Sequence, residues 1–344
     1  EGIGSEGRCV RMGSAASTVL GPTRLEMSKK QINYEELLIQ LQLQGHSNLA
    51  KVKILDLSGN KLCGLPPEIS LMSELVELQC KDNWLKEIPL EIRTLSKLKI
   101  CQLKGNRLEN IYHIDMPKLR EWTDLGHRED DRLTVLESLQ LMRVGHNKLR
   151  QLPERLHELA SLSMIVANDN DITMLSDKLF LSTTLLGLVI SNNKIARVPD
   201  NIASAASLRT LVLSFNGISE LPENFCRLRN MERVHLDNNK LNKVPQGWMF
   251  MTKLRHVDIH NNQLSLDTIR GSDFPRLAPH MVTFIIKPGN CYGPGPFKEA
   301  FRGLSPRSMV HLEKNDDDDL PDETAGKPKG RGRAGRARKK VEEL

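Results

Sequence analysis

The sequence predicts an α/β fold, a right-handed solenoid of about nine to eleven coils with one parallel β-sheet on its concave face. Two observations carry this reading. The template LxxLxLxxNxL recurs from "VKILDLSGNKL" at Val52 to "LRHVDIHNNQL" at Leu254. Its asparagines, Asn60, Asn83, Asn106, Asn147, Asn170, Asn193, Asn216, Asn239 and Asn262, stand 23 residues apart at every step except the 41 between Asn106 and Asn147.

Each part of the template has a physical role. The apolar positions of LxL fall on one face of a short strand and the residues between them on the other. An asparagine amide has two donors and an acceptor, enough to bond the backbones of adjacent coils. Prolines 66, 89, 153, 199, 222 and 245 all lie six residues after the asparagine, where the chain has left the strand and a missing N–H costs little. One coil cannot bury its own leucines, whereas stacked coils share a continuous core.

The segments follow in order. Residues 1–28 are expected to be disordered. Within them Met12-Gly-Ser-Ala-Ala-Ser fits the N-myristoylation pattern, making Gly13 a lipidation candidate if Met12 is the initiator and the preceding residues are leader; Met27 is the other candidate start. Residues 29–48 predict a capping helix, with Asn33 as its N-cap. Residues 49–290 form the repeat domain, ending in a strand within "MVTFIIKPGN", and 291–312 a C-terminal cap. Two readings fit the long interval, a degenerate coil with "LREWTDLGH" as a poor strand or a looped insertion at 112–134; its near-equal division favours the degenerate coil.

The formal charge of +6 belongs to the end of the chain. Residues 313–344 are acidic, then basic, and too poor in apolar residues to fold. Lys327, Lys329, Arg331, Arg333, Arg336, Arg338, Lys339 and Lys340 suit an anionic lipid surface or, as the less favoured reading, nucleic acid. A single myristoyl chain anchors weakly, so this tail is the natural second membrane signal.

The six cysteines lack clustered spacing, and Cys80 and Cys101 fall where core leucines belong. Together with the absence of Asn-x-Ser/Thr, this suggests reduced thiols in a cytoplasmic protein, at the cytoplasmic face of a membrane or, alternatively, in the nucleus. No GxxxxGK[ST], GxSxG or HExxH occurs, so the expected function is non-catalytic, with no cofactor and no small-molecule substrate.

"LPPEISLMSEL", "LPERLHELASL" and "LPENFCRLRNM" resemble the intracellular leucine-rich repeat class of the Ras suppressor and Scribble-type scaffolds, over roughly residues 50–290. That resemblance implies a signalling adaptor, with small GTPase pathways as its context. Strand alternation then places Ile100, Leu141, Met164, Val166, Val189 and Val212 on the concave face, with Phe215 at its edge. Lys104, Arg143, Arg233 and Asp237 form a charged rim, an arrangement suited to a protein partner. Replacing Val189 and Val212 with Asp is therefore expected to abolish binding and spare stability. His235, Asp237, His256, Asp258 and His260 gather at the C-terminal end of that face. Residues two apart on one strand are about 6.7 Å apart, which disfavours a metal, and a polar contact surface is expected instead.

Overall fold

The computed structural model describes residues 23–111 and 138–265, together with 18–19, 268 and 283–285. Twelve short strands follow one another in a single sheet in sequence order. They are β1 (Thr18–Val19), β2 (Arg24–Glu26), β3 (Ile54–Asp56), β4 (Glu77–Gln79), β5 (Ile100–Gln102), β6 (Leu141–Arg143), β7 (Met164–Val166), β8 (Gly187–Val189), β9 (Thr210–Val212), β10 (Arg233–His235), β11 (His256–Asp258) and β12 (Thr283–Ile285). β1 pairs with β2 antiparallel, and every later neighbour is parallel.

The register stacks one core residue per strand. Leu25, Leu55, Leu78, Cys101, Met142, Ile165, Leu188, Leu211, Val234 and Val257 lie side by side, all buried. Cys80 and Cys101 occupy leucine positions as the template requires, and burial raises both thiols, Cys101 to about 12. The convex side is built from short 3-10 turns such as Pro67–Leu71, Leu90–Thr94 and Glu223–Arg227. Pro66, Pro89, Pro199 and Pro222 each stand at the N-cap of such a turn, in extended conformation.

The asparagines lock coil to coil. Asn193 Nδ2 donates to the carbonyls of Ser191 (3.0 Å) and, in the preceding coil, Ala167 (3.0 Å), while its Oδ1 accepts from the N–H of Ile172 (3.0 Å). The same pattern holds from Asn60 to Asn262. These groups lie inside the turn, away from water, so leaving them unpaired would be costly.

Two expectations are corrected at the N-terminus. Residues 24–28 belong to the solenoid, because β2 pairs in register with β3 and Leu25 and Met27 are buried. The signal was hidden because Lys30 stands where the template has asparagine. Helix α1 (Tyr34–Gln44) therefore serves as the convex segment of this first coil, and the two-residue β1 covers the sheet edge. Asn33 is its N-cap: Oδ1 accepts from the N–H of Glu36, and the Glu36 carboxylate accepts from the N–H of Asn33. A second helix, α2 (His46–Leu49), follows.

The degenerate coil between Asn106 and Asn147 is also corrected. β5 pairs directly with β6, Ile100 beside Leu141, so no strand intervenes between them and the extra residues are an insertion. Gly13, the C-terminal cap at 291–312 and the basic tail lie outside the described residues.

Candidate interaction surface on the concave face

Each strand offers three concave-facing positions, which form three rows across the sheet. In the first row Ile100, Leu141 and Met164 are neighbours in register, and all three are half-buried. Beyond them comes Gly187, and a Cβ there would sit 2.5 Å from the Sδ and Cε of Met164. The glycine is needed for this close approach: the Met164 thioether lies across it. Thr210, Arg233 and His256 complete the row. Burial, with the positive charge of Arg233, holds His256 below the usual histidine range.

The second row runs Arg143, Val166, Val189, Val212, His235 and Asp258. Val166 is half-buried, but Val189 and Val212 are 0% exposed, which corrects their assignment to an exposed patch. They lie outside the interior hydrophobic cluster, on the concave side of the sheet. The two valines form the floor of the face rather than its contact surface.

The third row holds a buried polar strip that hydrophobic patterning does not reveal, since its members look like ordinary solvated strand residues. Asn168, Ser191, Ser214 and Asp237 are all buried. The Ser191 N–H donates to Asn168 Oδ1 at 2.8 Å. Ser214 Oγ donates to Asp237 Oδ1 at 2.5 Å, and Asn238 Nδ2 donates to Asp237 Oδ2 at 2.8 Å. Burial and the neighbouring Asp258 push the Asp237 carboxyl above its ordinary value.

Phe215 follows β9, half-buried, with φ at +56°. Nine other coils have a residue with positive φ at this place: Lys29 in the first, and Gly, Asp, Asn or His in the rest. Phenylalanine gains nothing locally from this left-handed conformation and bears its steric cost.

At the C-terminal end the spacing argument against a metal fails. His235 and Asp258 are cross-strand partners in register, and Asp237 adds a third group. Ligand atoms of the three all lie within 4.8 Å of one another. Asp258, brought in from the neighbouring strand, joins the i, i+2 pair His235 and Asp237.

The comparisons with known proteins agree with this architecture. A family model described as Leucine Rich Repeat matches residues 51–72 and 207–228. The solved structure of the plant peptide hormone receptor RGFR1 in complex with RGF2 is similar with TM-score 0.61 and 23% identity, covering 83% of this chain and 47% of that one. The leucine-rich repeat domain of LRIM1 gives TM-score 0.60 at 19% identity, covering 81% and 78%. The LRIM1/APL1C complex gives 0.58 at 18%, covering 82% and 52%. This chain thus spans about half the length of the matched chains in the receptor and in the LRIM1/APL1C complex. The comparison with curated proteins gave no match. The fold is that of a leucine-rich repeat solenoid. Among the described residues no helix is long and apolar enough to cross a membrane.

Proposed function

We propose that the protein is a non-catalytic adaptor that binds a protein partner on its concave face. The observation that carries this reading is the half-exposed apolar row Ile100, Leu141 and Met164 on three adjacent strands, with Arg143 and Val166 beside it. Contiguous apolar side chains that still reach water, rimmed by charge, favour a protein surface over a small molecule. Solenoids of similar fold have been solved with a peptide hormone, RGF2, or as a complex with a second protein, APL1C. Arg233, His235 and His256 extend the surface toward the C-terminal end.

Signalling at a membrane, with a small GTPase pathway as context, is the setting this proposal takes from the resemblance to Ras suppressor and Scribble-type scaffolds. Gly13 myristoylation and the basic tail from Lys327 to Lys340 would supply the two weak anchors. A nuclear protein using that tail on nucleic acid is the alternative, and removal of residues 325–344 separates them. Loss of binding only to anionic vesicles supports the membrane; loss of salt-steep nucleic-acid binding supports the nucleus.

The concave assignment is tested by placing a photo-crosslinking amino acid at Met164 or, on the convex side, at Glu91. Crosslinking in cells to one protein from position 164 alone, abolished by Leu141→Asp in a folded chain, is the expected result. Equal crosslinking from position 91 would overturn it.

A further inference from the structure

We propose that His235, Asp237 and Asp258 form a binding site for one divalent transition-metal ion of the zinc class. The inference is independent of the partner proposed above. β10 and β11 set His235 beside Asp258 in register, and Asp237 lies two residues beyond His235, just past the end of β10. One ligand atom from each residue lies within 4.8 Å of the other two. Ligands at about 2.1 Å from a common ion are reached by small rotations of these short side chains.

Burial makes the grouping more than a surface cluster. Asp237 is 5% exposed and Asp258 9%. Two carboxylates this close and this dry repel each other and have lost hydration, a combination that ordinarily requires a neutralising cation. Among the described residues no lysine or arginine pairs with either one; the His260 ring pairs with Asp258, as a cation only when protonated, and no basic side chain pairs with Asp237. Asp237 accepts hydrogen bonds from Ser214 and Asn238, and Asp258 from the backbone of His260, whose ring is at 2.5 Å. Those partners would orient the carboxylates in the way outer-shell groups orient metal ligands. The His235 imidazole makes no hydrogen bond among the described residues, which leaves a ring nitrogen for coordination.

The donor set selects the ion. One imidazole and two carboxylates suit zinc with a remaining open position. Calcium takes about six to eight oxygen ligands, more than these three side chains supply.

The test uses the full chain, stripped of metal with chelator and dialysed against zinc chloride with magnesium in excess. The expected result is one equivalent of bound zinc, with affinity reduced at least tenfold by His235→Ala and by Asp237→Asn, and unaffected by replacing the exposed Cys63 with Ser. Cobalt(II) in the same site should give a visible absorption band that His235→Ala removes. Circular dichroism verifies folding; if Asp237→Asn unfolds, the half-buried His235→Ala carries the test. Zinc bound as tightly by folded His235→Ala as by the parent chain would overturn the site. Displacement of zinc by equimolar calcium would overturn its assignment to the zinc class.

Discussion

Asn147 donates from Nδ2 to the carbonyl of Leu103, at 3.0 Å and 44 residues earlier in the chain. Its Oδ1 accepts from the N–H of Leu108, again at 3.0 Å. Every other template asparagine from Asn83 onward reaches back 26 residues to make the same bond to the preceding coil. The coils on either side of the insertion are therefore stacked as ordinary neighbours, and the added residues leave the ladder undisturbed.

Deletion of residues 113–130 follows directly. It returns the Asn106–Asn147 interval to 23 residues and puts Leu133 where the preceding coil has Ile92. The shortened chain should unfold cooperatively, with a midpoint within about 4 °C of the parent. A loss of cooperativity in calorimetry would show that the insertion is part of the core.

Asn193→Ala should be severe for an apparently conservative truncation. It removes the partner of the Ile172 N–H and of carbonyls in two coils. Several unsatisfied groups at about 1–3 kcal/mol each predict a loss of roughly 3 kcal/mol or more in urea denaturation. A loss under about 1 kcal/mol would mean water replaces the amide.

Phe215→Asn should stabilise the fold. Asparagine tolerates the left-handed conformation that Phe215 adopts, so a gain of about 1 kcal/mol is expected. If Phe215 is held there for a partner, affinity should fall as stability rises. A lower melting temperature would instead assign the ring a packing role.

Val189→Asp and Val212→Asp each place a carboxylate at a fully covered position. Each should cost roughly 3 kcal/mol or more, contrary to the expectation from strand alternation. Leu141→Asp, on a half-buried side chain, should cost clearly less. Thermal melts of the three variants side by side would expose a reversed order.

The buried thiols predict alkaline instability. Cys101 is pushed up to about 12 and Cys80 also well above its ordinary value near 9, both by burial. Below pH 9 the thiols are neutral in both states and carry no penalty. Above it the unfolded chain ionises them first, so stability falls as pH rises from about 9 toward 12. Urea melts at pH 8 and 10.5 should show a smaller drop for a Cys80→Ala/Cys101→Ala chain.

Much of the concave surface is legible in the sequence. Alternation placed Ile100, Leu141 and Met164 together because the side-chain period of a strand is two and the repeat keeps register. The first coil was not legible, since Lys30 replaces the asparagine that marks each later one. Nor did a count of residues distinguish a poor coil from an insertion; only the pairing of Ile100 with Leu141 does that.

By itself the sequence determined the repeat, its core residues and the faces on which side chains lie, since these follow from local periodicity. The tertiary structure alone decided which concave residues reach water and which groups meet. Val189 and Val212 are fully covered although alternation sets them on the concave face, and His235 meets Asp258 because separate coils stack in register. Both depend on distances between residues far apart in sequence, which no single period encodes.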